Sequence, residues 1–262
     1  MITINIDPVL FHIGHIAIRW YGLIVGGSIG LAMWIAAREA SRKGVRSKDI
    51  QDAATWVIAV GLIGARLFHV IDHWDHEFAA SPLRALYIWQ GGLAIWGGVV
   101  GGLLALAVFA RLRGLRFGRL ADVAAPGLVL AQGVGRLACV ITGDAMGKPT
   151  DGPFGFAYTN PAAMVPHLGV YYTPMPVYEL IVNLGIFALL WQLRKRKWPD
   201  GALFLVYLSL YSVERFLLSF VSSYQVVALG LTQSQIVALV GLAVALPLAA
   251  RTLLRKPRPR WA

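Results

Sequence analysis

Seven apolar runs, each close to the length a helix needs to cross a bilayer, divide this chain. They fall at about 16–37, 52–71, 89–110, 120–141, 175–193, 201–221 and 231–250. A helix rises 1.5 Å per residue, so roughly 20 residues cross a ~30 Å hydrocarbon core. The third run is broken by glycine pairs at 91/92, 97/98 and 101/102. Polar and basic residues gather between the runs. The pattern predicts an all-α, polytopic integral membrane protein with seven transmembrane helices. It leaves room for one membrane domain over 1–262 and no separate soluble domain. No internal repeat or low-complexity segment interrupts it.

Composition and charge sharpen this reading. The chain is 57% hydrophobic and only 14% charged, where soluble domains carry about a quarter charged residues. Its formal net charge of +11 would suggest nucleic acid in a soluble protein. Here the basic residues sort by loop, so no nucleic-acid partner is expected. Eighteen of the 24 lie in the loops after runs 1, 3, 5 and 7, against Arg19, Arg84 and Lys148 on the other side. The positive-inside rule places the N-terminus outside and the C-terminus in the cytoplasm. A bacterial cytoplasmic (inner) membrane location is expected. The start of the chain lacks a basic n-region, so a cleaved signal peptide is not expected. The single cysteine, Cys139, excludes an intramolecular disulfide framework.

The remaining three basic residues carry the chemical question. Arg66, Arg136 and Arg215 lie inside runs 2, 4 and 6. A permanent charge within a bilayer is costly and marks a functional site by default. Each lies about 14–16 residues past the cytoplasmic end of its run, roughly 21–24 Å up. Tyr21, Gln90, Trp96, Tyr178, Glu179 and Gln233 occupy the first turns of the odd-numbered runs. The polar groups of every run therefore gather in one slab near the outer leaflet. Arginine's planar fork suits phosphate, and the abundant anion of a membrane is a phospholipid headgroup.

Several motifs surround these arginines. GVGRLACVITGDAMGKPTDGPFG at 133–155 places Arg136, Thr142, Asp144 and Lys148 within reach of one another. Its Gly147 permits close backbone approach and is expected to turn Asp144 toward the arginines. The bland alternative is an internally paired arginine beside an ordinary turn. Glu179 either favours a helix N-terminus or pairs with a buried arginine such as Arg66. Tyr211 and Arg215 share a helix face at i, i+4, whereas neighbouring Glu214 and Arg215 point apart. The glycine pairs of run 3 serve close helix packing or an opening for lipid, with Gln90 and Trp96 as contact candidates. The longer outer segment at 143–174 is expected to shape the site. Cys139 reads as inert packing. His73 and His76 lack a third ligand, so no metal is expected. No nucleotide-binding or hydrolase signature is present, and no cofactor is expected.

Together these segments resemble the bacterial prolipoprotein diacylglyceryl transferases. The resemblance is carried in order by RWYGL (19–23), GARL (64–67), WQGGLAIWGG (89–98), GRLACVITGDAMG (135–147), PVYE (176–179), ERF (214–216) and GLTQSQ (230–235). It implies a transferase that moves the diacylglyceryl group of phosphatidylglycerol to the lipobox cysteine of a prolipoprotein signal peptide. A thioether forms and glycerol phosphate leaves. It implies catalytic roles for Arg136, Arg215, Asp144 and Tyr21. Arg136, Arg215, Tyr211, Gln90, Trp96, Thr142, Gly147, Arg66 and Glu179 would bind phosphatidylglycerol. Trp96 stands where many members have histidine, Cys139 where asparagine is usual, and Asp144 where glutamate is usual. With that histidine absent, Asp144 becomes the expected acceptor of the thiol proton. The alternative is a diverged relative that binds or moves anionic phospholipid without alkyl transfer. An anion transporter is disfavoured because no repeated halves are found.

Overall fold

The computed structural model describes residues 1–14, 16–88 and 91–254. Gln90, one of the expected lipid contacts, lies outside the described residues, as do His15 and the basic residues Arg255, Lys256, Arg258 and Arg260. Helices dominate: α1 Trp20–Arg42, α2 Ser47–Asp72, α3 Ile95–Leu112, α4 Phe117–Thr142, α5 Met175–Leu193, α6 Ala202–Leu218 and α7 Gln233–Leu254. Six of them are long and apolar enough to cross a membrane. The other, α6, has 17 residues. The chain is a multi-pass membrane protein. Many large apolar side chains on the helices face outward, including Ile63 and Leu67 of α2, Leu104 of α3 and Val240 of α7. Lipid, not water, is the solvent such a surface requires.

Strict all-α architecture is corrected in detail. Short strands occur outside the helices: β1 Ile2–Ile4, β2 Val9–Ile13, β3 Ile16–Arg19, β4 Phe156–Tyr158, β5 Val226–Ala228 and β6 Leu231–Thr232. β1 pairs in parallel with β4, while β2–β3 and β5–β6 form antiparallel hairpins. The first helix therefore starts at Trp20, not near residue 16. Residues 16–19 are apolar enough to extend a helical run, but pairing with β2 satisfies their backbone and suits the β-branched isoleucines. Helices α2 and α4 in turn begin earlier than their apolar runs suggest. Their first turns carry polar residues such as Lys48, Asp49 and Arg119, which apolar windows miss.

Contacts group the chain into two compact units, Met1–Ala36 with Ala124–Ala262, and Ala37–Val123. The smaller unit is built on the α2–α3 pair. A Cβ added at Gly64 would strike the Gly97 carbonyl, and one at Gly97 would strike the Gly64 carbonyl. A Cβ at Gly101 would lie 2.8 Å from the Val60 carbonyl. The glycine pairs at 97/98 and 101/102 thus serve packing against α2. In lipid, where apolar burial drives little association, backbone approach of this kind holds helices together. At one end of the pair, Lys43 meets Asp122 at 3.0 Å and Arg113 meets Asp52 at 2.8 Å.

The larger unit centres on α4, α5 and α6. Ala125, Val129, Ile186, Leu190, Leu203 and Tyr207 form its buried core. Gly127 brings α4 against Ala32 of α1, and Gly133 brings α4 against Asn183 of α5. A second, smaller core of Met146, Tyr158 and Tyr172 sits in the segment between α4 and α5. These two cores fix the ends of α4 and α5 that carry the polar residues.

The glycine seam is directly testable. Gly64→Val or Gly97→Val should destabilise the protein by about 1–3 kcal/mol through overpacking. Gly26→Ala, where nothing lies within 4 Å of the added carbon, should be neutral or slightly stabilising. Thermal unfolding in detergent reads both, and equal midpoints for Gly97→Val and wild type would exclude a load-carrying seam.

Candidate active site

The site grows from three helices of the larger unit. Arg136 lies near the end of α4, nineteen residues beyond Phe117. Glu179 lies in the second turn of α5, which starts after Pro174 and carries Pro176 within its first turn. Arg215 lies in the last turn of α6. The core of α4, α5 and α6 brings these positions together. The Arg136 Nε donates to Glu179 Oε2, and the Arg215 Nη1 donates to Glu179 Oε1. One carboxylate is therefore shared by two guanidiniums from two other helices. The Glu179 side chain is 3% exposed, against 22% for Arg136 and 16% for Arg215. The acid is sealed in and the bases reach outward. The triad carries a surplus of one positive charge.

The second layer comes from the α4 terminus. Arg136 Nη1 lies 3.8 Å from the Cys139 sulfur, and that sulfur lies 3.9 Å from Asp144 Oδ2. Cys139 thus links the arginine to the half-buried acid. Tyr21 of α1 stands within electrostatic range of Cys139, Asp144 and Arg136. Tyr211, one turn before Arg215, stands within range of Arg215, Arg136 and Glu179. Thus Arg136, Arg215, Glu179, Asp144, Tyr21 and Tyr211 form one cluster, with Cys139 between Arg136 and Asp144.

One expectation about the loop is corrected. The turn that delivers Asp144 is made at Gly143 (φ 77°) and Ala145 (φ 54°), not at Gly147. Gly147 is instead a backbone crossing: a Cβ there would lie 2.5 Å from the Val221 carbonyl and 2.9 Å from Thr173. Its N–H donates to the Thr173 carbonyl. Thr142 is buried, and its hydroxyl donates to Ala138 of its own helix at 2.9 Å. The loop is anchored beneath by Tyr158, whose hydroxyl donates to the Val140 carbonyl at 2.6 Å. Burial pushes the Tyr158 phenol above its ordinary range, so it stays a proton donor.

In the smaller unit, Arg66 is engaged by backbone. It also lies nineteen residues into its helix, counted from Ser47. Its Nε donates to Ala85, its Nη1 to Gly91 and Gly92, and its Nη2 to Arg84, all carbonyls at 2.7–3.0 Å. Four carbonyls thereby take most of its five donors. Arg66 thus holds residues 84–85 and 91–92. Trp96 is half-buried in the first turn of α3.

Sequence reasoning missed two buried polar groups beside the triad. Asn183 donates to the Glu179 carbonyl at 2.8 Å, yet its Oδ1 accepts nothing among the described residues. Both carboxyl oxygens of Glu214 are likewise unpartnered. The helical offset between Glu214 and Arg215 signalled that they would not pair. Its burial could be learned only from the packing of α6.

Comparison with known proteins shows the family of the chain. A family model described as prolipoprotein diacylglyceryl transferase matches residues 8–251. A phosphatidylglycerol–prolipoprotein diacylglyceryl transferase of Dehalococcoides mccartyi is 37% identical over 248 residues, covering 94% of this chain and 94% of the relative. One of Geobacillus kaustophilus is 39% identical over 215 residues, covering 80% and 79%. One of Nostoc sp. is 35% identical over 247 residues, covering 91% and 87%. With motif order, helical architecture and match length in agreement, the chain belongs to the prolipoprotein diacylglyceryl transferase family.

Proposed function

We propose that this protein transfers the diacylglyceryl group of phosphatidylglycerol to the lipobox cysteine of prolipoproteins in the bacterial inner membrane. The observation that carries the proposal is the shared carboxylate: Glu179 holds Arg136 and Arg215 together and leaves one positive charge unmatched in the triad. The family relatives are named as transferases, which favours alkyl transfer over mere lipid binding. All seven helices span, with the N-terminus outside and the C-terminus in the cytoplasm, as the basic loops require.

The chemistry follows from the cluster. The lipid phosphate binds at Arg136 and Arg215. The substrate thiol gives its proton to Asp144, and the sulfur attacks the glycerol carbon that bears the phosphate. A C–S bond forms, the C–O bond breaks, and glycerol phosphate departs with the electron pair. The arginines stabilise charge where it grows on the leaving group, and the same field favours the thiolate. Tyr21 and Tyr211 orient the glycerol and the phosphate. Gly147 keeps the loop of Asp144 in place, and Trp96 contacts substrate without exchanging protons. The segment 143–174 admits the signal peptide, and lipid arrives sideways from the outer leaflet.

Arg136→Gln and Arg215→Gln should each lower phosphatidylglycerol turnover by roughly 10²-fold, the scale of losing one key donor. Glu179→Gln should lower turnover and also destabilise the fold by about 3–5 kcal/mol, because two cations lose their buried partner. Near-wild-type turnover in both arginine variants at equal folded protein would remove the clamp.

Asp144→Asn should slow transfer across the pH range, while Trp96→Phe should mainly raise KM. An Asp144→Asn enzyme of near-wild-type rate with an unchanged pH–rate profile would show that the proton leaves elsewhere.

Photo-cross-linkers within 143–174 should capture precursor peptide, and probes beside Arg113 should not. Capture confined to the Arg113 side would invert the proposed orientation.

A further inference from the structure

The connection between α6 and α7 differs in kind from the other outer segments. Residues 216–250 contain no Asp, Glu, Lys, Arg or His, although they include the β5–β6 hairpin. By contrast, Asp75, Glu77 and Arg84 lie between α2 and α3, and Asp144, Lys148 and Asp151 between α4 and α5. A loop bathed in water has no reason to exclude charge so completely.

Among the described residues, none covers the hairpin. Val226 and Val227 are adjacent in β5, so they point to opposite faces. They are 63% and 67% exposed. Leu229 at the tip is 94% exposed. It adopts φ 54° and precedes Gly230 at φ 73°, the turn geometry for which Asn, Asp or Gly is preferred. A bulky apolar side chain is thus placed at a nearly fully exposed point against its backbone preference. An isolated two-stranded hairpin is marginal in water. A docking protein would cover one face, whereas a bilayer covers both. The apolar surface is continuous with outward-facing Leu217 and Phe220 before the hairpin and with Val240 after it.

We propose that the β5–β6 hairpin is immersed in the membrane, with Val226, Val227 and Leu229 at the boundary between headgroups and acyl chains. Its strand edges keep it out of the hydrocarbon centre, where unpaired backbone is not tolerated. Its base is stitched to the loop of the active site. The Lys148 N–H donates to Val221 at 3.0 Å, the Lys148 ammonium donates to Phe220 at 3.1 Å, and the Ser223 hydroxyl donates to Met146 at 2.9 Å. The Ser219 and Ser234 hydroxyls, 2.9 Å apart, close the base across to α7. The immersed hairpin therefore sets the height of the Asp144 loop against the leaflet that supplies the lipid.

Depth measurement by spin labelling tests this without relying on activity. Leu229→Cys, Val227→Cys and, as an aqueous reference, Asp151→Cys are each made with Cys139→Ser, nitroxide-labelled and reconstituted in vesicles of phosphatidylcholine and phosphatidylglycerol. Labels at 229 and 227 should collide with oxygen more and with a water-soluble nickel chelate several-fold less than the label at 151. The expected depth is about 5–10 Å into the boundary region. If one variant fails to fold, the other carries the measurement. Nickel accessibility at 227 and 229 equal to that at 151 would overturn the proposal. So would shielding that appears in native membranes but not in the pure vesicles, since that would mean a protein cover. Failure of either kind would leave the transferase reading intact.

Discussion

Everything at the polar centre of this protein depends on one carboxylate shared between two arginines. Glu179 is sealed within the α4–α5–α6 core, and Arg136 and Arg215 reach it from two separate helices. In low dielectric neither guanidinium is tolerable alone, and neither could stand so near the other without the acid between them. The acid makes the pair possible without neutralising it. The result is a positive site that is organised before any substrate arrives, so little reorganisation is needed as leaving-group charge develops.

That site needs close backbone contacts around it. Gly133 lets α4 approach α5 beside Asn183, and Gly147 lets the loop cross under Val221 and Thr173. Tyr158 ties the loop back to the end of α4. In the smaller unit, Arg66 does for the 84–92 segment what Glu179 does for the arginines: a single buried group satisfies many partners. Two arginines that look alike in sequence, each nineteen residues into its helix, thus have different roles. One meets a carboxylate and keeps an outward face, while the other makes four hydrogen bonds to carbonyls.

The contrast explains what the sequence disclosed and what it withheld. Apolar runs and loop charge are additive along the chain, so helix number and most boundaries could be read directly. That Arg136 and Arg215 lie near the ends of their helices could be read from their places in the apolar runs. The bridge through Glu179 was left open because helix identity does not say which faces meet. The glycine pairs of α3 were ambiguous for the same reason, until Gly64 and Gly97 proved to touch across the seam. The strand at 16–19 was hidden by its apolarity, which a helix and a hairpin share. Gly147 was assigned a turn that Gly143 and Ala145 make, because composition shows that a glycine is needed but not whether for φ or for space.

The central claim is that this preorganised positive site performs alkyl transfer and does more than hold lipid. The most direct measurement gives purified protein a synthetic lipobox peptide in phosphatidylglycerol vesicles, with phosphatidylcholine vesicles as control, and follows peptide mass. The account predicts a diacylglyceryl thioether on the peptide cysteine with release of glycerol phosphate, only in the phosphatidylglycerol vesicles. Tight phosphatidylglycerol binding with no gain in peptide mass would contradict it.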